Sequence, residues 1–409
     1  MVFLLALMAI VAPVLALSLL VISFQKINSP IAFAVVIGLA MAGISFGLHN
    51  TSIYSDLTTY MGQAMLTQGL SIDESLNLFS RGHMSDTPIA IFWFWLVGQT
   101  GNAQWYPASI AFVEYAIIGF IFTDYAKDAQ YTRRQYGIII LLLIITLPLY
   151  NSVSSVRSTP ALAIGILGFY LDFCKHIRNP FVYLLYAIAI LIHSIGFILL
   201  PLRLICQLGI RCPRLAVVLT IVLLPSVYFF ASVLDPIFSQ FGFSVIDKVQ
   251  SYVAGSDSEY ALHVADSNFL QVKKWVSIIL AAVSIVLQLR ALTEKNDKSD
   301  LLHKRLCLIG CALAAVIVSF GIIISMPSYA RFLYTAVPVS ALVITRGRLD
   351  DKLGKQTQSA DSLHAAFYVL FLLLVAAEFA LVLYELPRRI AVGDLAWYVA
   401  FGFFGSFVS

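Results

Sequence analysis

Apolar runs long enough to cross a lipid bilayer recur along the whole chain. The hydrocarbon core of a bilayer is about 30 Å thick, and a helix needs roughly 20 apolar residues to span it. Long runs occupy residues 2–24, 30–48, 106–124, 213–234, 270–291, 306–325 and 364–384. Only 12% of the residues are charged, whereas soluble domains carry about 25%. The chain is therefore predicted to be an all-α polytopic membrane protein, and its net charge of +4 does not indicate a nucleic-acid partner.

Shorter apolar runs lie between and after the long ones. They occupy residues 88–98, 136–150, 159–174, 180–192, 194–205, 331–345 and 391–408. Taking both kinds together, we expect about 11–14 membrane helices, some of them in short hairpins that enter the bilayer without crossing it. The predicted domain organisation is a single integral membrane domain, residues 1–409.

The distribution of Lys and Arg predicts the orientation, because cytoplasmic loops carry an excess of basic residues. With Met1 outside and Lys26 inside, 18 of the 26 basic residues fall in inner loops. The N-terminus is therefore predicted to be extracytoplasmic, and the long outer segments are 49–105 and 235–268. The five cysteines fall on the inner side or in the inner half of the membrane, so no outer disulfide is expected.

Two pairs of short runs are predicted to form hairpins, 136–150 with 159–174 and 180–192 with 194–205. A helix of about 15 residues reaches only about 22 Å, which is less than the bilayer core. The tips of both hairpins should then stop inside the outer half of the membrane. Because non-helical backbone at that depth is tolerated only against protein or a water-filled cavity, the tips are predicted to line a site.

Each hairpin tip carries one residue that can bind an anion. Arg157 lies in a hydroxyl-rich run, residues 150–160, and an arginine at mid-membrane costs about 2.5–3.5 kcal/mol unless it is paired or hydrated. It is either a side chain that reaches to the interface or an anion site, because guanidinium binds phosphate oxygens in bidentate fashion. His193, at the second tip, is either a packed core residue or a group that hydrogen-bonds a phosphate or relays protons.

Four further residues are candidates for the same site. Arg331, followed one helical turn later by Tyr334, is either an interfacial anchor or a second cation for an anionic ligand. Asp56 and Tyr60 share a helical face beyond the second apolar run, where an outer carboxylate can act as a general base. The outer segments contain no Asp-x-Asp pair, and neither a metal nor another cofactor is predicted.

These residues lie in stretches that resemble the EpsG family of bacterial exopolysaccharide polymerases, relatives of the Wzy-type polymerases. Residues 153–161, VSSVRSTPA, resemble an F-x-x-x-R-Q-A-L-A element, and residues 193–196, HSIG, resemble an H-x-S-A element. Asp56-x-x-x-Tyr60 resembles the D-x-x-x-Y that follows the second helix of the family.

Two more stretches extend the resemblance over most of residues 1–345. Residues 86–102 resemble the extracytoplasmic segment of the family, which contains a short apolar helix, and residues 329–335 resemble its late membrane arginine. The chain departs from the pattern at Ser158, where the family often has Gln, and at Gly196, where it often has a larger residue.

The resemblance implies a membrane glycosyltransferase-type polymerase with a GT-C-like or Wzy-like fold. It would join polyprenyl-diphosphate-linked oligosaccharide repeat units into exopolysaccharide, capsule or O-antigen at the outer face of the bacterial cytoplasmic membrane. The site residues implied are Arg157 and Arg331 for the diphosphate, Asp56 and His193 for catalysis, and Tyr60 and Tyr334 for orienting substrate. The expected partners are the lipid-linked oligosaccharide, the bilayer, and a chain-length regulator and flippase of the same pathway.

Two other functions remain open on the sequence. A flippase for the same lipid-linked sugar would need charges through the middle of several long helices, whereas here the charges gather at the tips of short ones. A membrane O-acyltransferase that modifies a polysaccharide would need a histidine at an inner donor site. His176 and His303 are predicted to be inner, but both lie in basic turns without surrounding hydroxyls.

Overall fold

The computed structural model of the protein describes residues 1–48, 56–79, 87–155, 157–229, 267–293, 301–323, 328–351, 362–389 and 392–407. Within these ranges the chain forms helices and turns and no strand, which confirms an all-α polytopic membrane protein. Of the predicted outer segments, residues 49–55, 80–86 and 235–266 lie outside the described residues.

The chain divides into two compact units. The first comprises Met1–Asp172, Ile177–Leu199 and Val382–Ser409, and the second comprises Phe173–His176 and Leu200–Leu381. The helices of the first unit up to the second hairpin are α1 (Val2–Val11), α2 (Pro13–Ile22), α3 (Pro30–Ser45), α4 (Asp56–Leu66), α5 (Ile72–Phe79), α6 (Pro88–Gln99), α7 (Trp105–Asp128), α8 (Arg133–Thr146), α9 (Leu149–Ser154), α10 (Ser158–Phe169) and α11 (Pro180–Ile192).

The later helices belong mainly to the second unit. They are α12 (Leu199–Gly209), α13 (Pro213–Phe229), α14 (Asn268–Thr293), α15 (Leu301–Ile323), α16 (Ser328–Asp351), α17 (Ser362–Arg389) and α18 (Val392–Phe401). The end of α17 and all of α18 lie in the first unit. There the aromatic ring of Phe403, just beyond α18, lies 5.3 Å from that of Phe46 and 5.5 Å from that of Trp105.

Among the described residues, four helices are long and apolar enough to cross a membrane. They are Trp105–Asp128, Asn268–Leu292, Leu301–Gly321 and Leu363–Pro387. Several apolar helices are shorter, with 10–17 residues. One of them is α6, whose 12 residues measure about 18 Å and therefore cannot cross a bilayer core alone. This length agrees with the predicted place of residues 88–98 in the outer segment 49–105.

In the first unit, α7 packs closely against α3. A Cβ atom on Gly38 would lie 2.9 Å from the Phe112 carbonyl oxygen and 2.9 Å from Cβ of Ala116. The Ser45 hydroxyl also donates a hydrogen bond to the Pro107 carbonyl, at 3.2 Å. Small residues let helices approach closely in a membrane, where packing and hydrogen bonds hold helices together. This contact makes α7 a rigid support for the elements that carry the candidate site.

The prediction of one helix across residues 2–24 is wrong. The helix is interrupted at Ala12, whose φ is −145° and ψ is 73°, and α2 starts at Pro13. Proline disfavours the α conformation in the residue before it and has no N–H to donate. Beyond the end of α2, the Lys127 ammonium donates to the Phe24 carbonyl and lies 4.1 Å from the centroid of the Phe24 ring.

The two limbs of the first predicted hairpin, α8 and α10, are both tied to α7 by tyrosine hydroxyls. Pro148 separates α8 from the short α9, and the Tyr115 hydroxyl of α7 donates to the Leu147 carbonyl at this break. After α10, the Tyr170 hydroxyl donates to the Asp124 carboxylate of α7. Both helices are therefore held by a single long helix. They do not pack closely against each other as a hairpin, because α8 packs on α7 and α10 packs on α7 and α11.

A helix break occurs at His193, as the sequence predicts. Its backbone is extended, with φ −157° and ψ 134°, and a 3₁₀ turn, Ser194–Ile198, follows. The Nδ1 atom of His193 accepts a hydrogen bond from the Ile195 amide at 3.1 Å. A Cβ atom on Gly196 would lie 2.8 Å from the carbonyl carbon of Ala189. The turn thus lies directly on α11, which explains why the chain has glycine where the family pattern has a larger residue.

In the second unit, α14 and α16 are joined by a buried hydrogen bond at 2.9 Å from the Gln288 amide to the Ser340 hydroxyl. The prediction of a short helix at 331–345 is wrong, because α16 has 24 residues and continues through Pro338. Apolar composition marks only the part of a helix that lies in lipid. Proline is tolerated inside membrane helices because neighbouring groups satisfy the freed backbone carbonyl.

Candidate functional site

Arg157 immediately precedes α10, in the turn predicted as the tip of the first hairpin, and two hydroxyl groups hold its side chain. One terminal nitrogen, Nη1, donates to the Thr87 hydroxyl at 3.1 Å, and the other, Nη2, donates to the Tyr60 hydroxyl at 2.9 Å. Three stretches far apart in sequence therefore meet at one guanidinium. The structure brings two of the sequence-predicted residues, Arg157 and Tyr60, into direct contact and adds Thr87 to them.

Tyr60 lies in α4 and Thr87 lies at the start of α6, and these two helices pack closely against each other. The Thr67 hydroxyl, just after α4, donates to the Phe94 carbonyl of α6 at 3.1 Å. A Cβ atom on Gly98 would lie 2.5 Å from the Ala64 carbonyl oxygen, so the two backbones approach as closely as glycine allows. Thr87 itself occupies the N-cap position of α6, ahead of Pro88.

Aromatic rings support the guanidinium from one face. The Cζ atom of Arg157 lies 5.0 Å from the centroid of the Tyr60 ring, within the range of a cation–π interaction. The Tyr60 ring is in turn stacked on Phe94, with centroids 5.7 Å apart, and Phe94 lies 5.2 Å from the buried ring of Tyr106. This stack fixes the plane of the Tyr60 ring and hence the position of its hydroxyl.

The positive charge of Arg157 is not neutralised by any described residue. Its partners in this part of the chain are the two neutral hydroxyls and the aromatic ring, and its Nε atom is buried without a hydrogen-bond partner. A guanidinium has five N–H donors, so Tyr60 and Thr87 leave most of them unused. A half-buried cation of this kind has a strong electrostatic preference for an anion. The arrangement is suited to bind a phosphate group.

Sequence reasoning missed Glu114, which lies near the same hairpin tip. It is the one charged residue in the interior of the apolar run 106–124, which ends at Asp124. Its side chain is fully buried, and its carboxyl accepts a hydrogen bond from Ser152 of α9. The signal was present in the sequence, because an ionisable residue within a membrane helix is by default a candidate for function.

The two predicted catalytic residues are placed differently. Asp56 begins α4, one helical turn before Tyr60, and is exposed. The half-buried His193 lies in the first unit, as Arg157 does, and its Nδ1 atom caps the turn that follows it. Asp56 thus lies on the same helix as Tyr60, which binds Arg157, whereas the Nδ1 atom of His193 is engaged by its own turn.

Arg331 and Tyr334 lie in the second unit, in the first part of α16. Arg331 is half-buried, whereas Tyr334 is 5% exposed and packs among the helices of that unit. Their predicted roles toward substrate remain predictions.

A comparison with protein families identifies one match, to the EpsG family, over residues 87–386. No curated protein and no solved structure matches the chain. The matched range contains Thr87, Glu114 and Arg157, whereas Tyr60 precedes it. Because this range covers well over half of the sequence, the chain belongs to the EpsG family.

Proposed function

We propose that the protein polymerises polyprenyl-diphosphate-linked oligosaccharide repeat units at the outer face of the bacterial cytoplasmic membrane. Membership of the EpsG family supports a polymerase-type role in exopolysaccharide synthesis. In the proposed reaction, a hydroxyl of the acceptor repeat unit attacks the anomeric carbon that joins the growing chain to its diphosphate. The bond from this carbon to the diphosphate oxygen breaks, and the electron pair leaves with the polyprenyl diphosphate.

The guanidinium of Arg157, which no described residue neutralises, is the observation that carries this proposal. Negative charge develops on the diphosphate as it leaves, and a donor already in place stabilises that charge without reorganisation. Tyr60 and Thr87 hold the guanidinium before any ligand arrives. Removing a single preorganised donor of this kind from an enzyme typically lowers the rate by about 10²–10³-fold.

The other predicted residues take the remaining roles in the proposal. The Asp56 carboxylate is the candidate acceptor for the proton of the attacking hydroxyl, and its exposed position leaves it accessible to a sugar. Because Nδ1 of His193 accepts from the Ile195 amide, the neutral imidazole carries its proton on Nε2, which can donate to phosphate. Arg331 is proposed as a second cation and Tyr334 as an orienting residue.

The proposed substrate is suited to a site within the membrane. The substrate carries a long polyprenyl tail, and several helices of the protein are short and apolar. A tail in the bilayer would bring its diphosphate to the outer part of the membrane, where the tip of the first hairpin is predicted to lie. The bilayer, the lipid-linked oligosaccharide, and a chain-length regulator and flippase of the same pathway are the proposed partners.

The test is a gel of the surface polysaccharide from cells that lack this chain. The cells are complemented with the wild type, with Arg157→Ala, or with Arg133→Ala as a control for loss of an exposed arginine, at matched membrane levels. We expect single repeat units in the deletion strain, long ladders with the wild type and Arg133→Ala, and no ladder with Arg157→Ala.

Other results would point to the other functions. Long chains that persist in the deletion strain but lack a substituent would indicate an acyltransferase. Repeat units that stay on the inner side of the membrane in the deletion strain would indicate a flippase. Full ladders with Arg157→Ala would leave polymerisation in place and remove Arg157 from the site.

A further inference from the structure

We infer that Glu114 is a positioning residue, which fixes the hairpin tip that carries Arg157. The inference rests on the proposed function, since its effect is expressed through Arg157. No residue pattern in the family resemblance includes Glu114, and the proposed reaction does not use it. Its place in the first unit, beneath the tip, gives it this role.

The hydrogen bonds around Glu114 connect α7 to both sides of the tip. The Ser152 hydroxyl of α9, before Arg157, donates to the Glu114 carboxyl of α7. The Thr159 hydroxyl of α10, after Arg157, donates to the Ser152 carbonyl at 2.8 Å. These hydrogen bonds thus join the residues before Arg157 to the residues after it. Through Ser152 they also join both to α7.

Burial shows that Glu114 acts on the protein and not on the substrate. The side chains of Glu114, Ser152 and Thr159 are all fully buried, so the carboxyl is closed off from a ligand. Burying a carboxyl group in an apolar span costs free energy unless its hydrogen bonds compensate. One of its oxygens, Oε1, has no partner among the described residues, and neither does Nδ2 of the buried Asn151. A buried carboxyl with an unpaired oxygen does not stabilise the fold by itself, so stability alone does not explain Glu114 at this position.

Arg157 needs such support because its guanidinium must meet two fixed hydroxyls at once. Tyr60 and Thr87 are held by α4 and α6, whereas the backbone of Arg157 belongs to the turn between α9 and α10. A displacement of about 1 Å in a positioning group can lower a rate by about 100-fold. The hydrogen bond from Ser152 of α9, five residues before Arg157, to Glu114 of α7 limits this displacement.

The experiment is a double-mutant comparison in purified protein, with the lipid-linked repeat unit extracted from the deletion strain as substrate. Glu114→Leu is measured in the wild type and in Arg157→Lys, which keeps the charge but loses the planar fork. We expect Glu114→Leu to lower kcat by about 30-fold in the wild type but by less than about 3-fold in Arg157→Lys, since residues that act through one group are not additive. Glu114→Gln keeps the shape and an acceptor, and should stay within about 3-fold of the wild type.

Glu378→Leu is the matched control. Glu378 is also a buried membrane carboxyl that accepts a hydrogen bond from a serine, Ser277, at 3.4 Å, but it lies in the second unit. Its substitution should change kcat by the same factor in both backgrounds. If Glu114→Leu does not accumulate in membranes, Ser152→Ala removes the same hydrogen bond and is expected to show the same dependence on the background.

Two results would overturn the inference while leaving the proposed function intact. One is wild-type kcat in Glu114→Leu, and the other is an equal loss of kcat for Glu114→Leu in both backgrounds. A wild-type protein that forms no polymer from the extracted substrate would instead count against the proposed function. The two failures are therefore distinguishable in one set of assays.

Discussion

The hydroxyl group of Tyr60 sets the orientation of the Arg157 guanidinium. Removing this hydroxyl tests the site directly. Tyr60→Phe deletes the hydrogen bond of 2.9 Å to Nη2 but keeps the ring that lies against the guanidinium. Hydrogen bonds to charged groups contribute about 1.5–3 kcal/mol, and about 1.4 kcal/mol corresponds to a factor of 10. We expect the rate of polymerisation to fall by about 10- to 100-fold, measured as polymer formed per unit time by membranes with matched protein levels.

Tyr136→Phe is the control for this substitution. Tyr136 is buried in α8, and its hydroxyl shares a hydrogen bond of 2.8 Å with Thr123 of α7, away from the contacts of Arg157. Its loss should leave the rate within about 3-fold of the wild type, since single hydrogen bonds between neutral groups contribute only about 1 kcal/mol. Equal effects of the two substitutions would mean that Tyr60 contributes only to packing.

At the level of single residues, the sequence identified Arg157 and Tyr60 but not their contact. They lie 97 positions apart, and no spacing rule connects residues on separate helices. Thr87 lies in the stretch 86–102 that resembles the family, but the sequence did not single it out as a site residue. Glu114 did carry a signal, because it is a charged residue in the middle of the apolar run 106–124, but the run was interpreted only as a membrane span.

The turn after His193 depends on a glycine at its closest approach to α11. Gly196→Ala would place a Cβ atom 2.8 Å from backbone atoms of Ala189 and Ile190, and backbone cannot move aside as a flexible side chain does. Overpacking of this kind costs about 1–3 kcal/mol. We expect a lower Tm for the purified protein in detergent, together with lower membrane levels.

Gly62→Ala is the opposite case and serves as the comparison. Gly62 is exposed in α4, and a Cβ atom there would meet nothing within 4 Å. Alanine in a helix is favoured over glycine by about 0.5–1 kcal/mol, so the Tm should rise or stay constant. A Tm for Gly196→Ala at or above that of the wild type would show that the turn relaxes more easily than its packing indicates.

The helical type of the elements could be predicted better than their ends. The break at Ala12 was readable from Pro13, but the apolar run on both sides favoured one helix. The length of α16 was not readable, because hydropathy marks the part of a helix in lipid and not where its hydrogen bonds stop. The break at His193 was predicted correctly, since the histidine interrupts an apolar run at the expected depth.

For the whole molecule, the orientation in the membrane is a prediction that one native cysteine can test. Cys212 is exposed, whereas the other four cysteines are buried, and the basic residues around Cys212 predict that it faces the cytoplasm. A membrane-impermeant maleimide should therefore label the protein only after cells are permeabilised. The same reagent should label Asp73→Cys, at an exposed position of the predicted outer segment 49–105, in intact cells.

Reversed labelling would contradict the predicted topology. If Cys212 reacts in intact cells and Asp73→Cys does not, the N-terminus lies inside and Arg157 belongs to the inner half of the membrane. The proposed reaction at the outer face would then fail. Cys212→Ser establishes that the label in the wild type resides on Cys212.

The central claim is that Arg157 binds the diphosphate of a lipid-linked substrate, and direct binding to a lipid diphosphate tests it. Farnesyl diphosphate is titrated into purified wild-type protein, Arg157→Ala and Arg133→Ala, and each Kd is measured. An arginine that binds a phosphate with charge-assisted hydrogen bonds contributes about 1.5–3 kcal/mol. We predict a Kd at least about 10-fold higher for Arg157→Ala than for the wild type and Arg133→Ala. Equal Kd values for all three proteins would contradict the account.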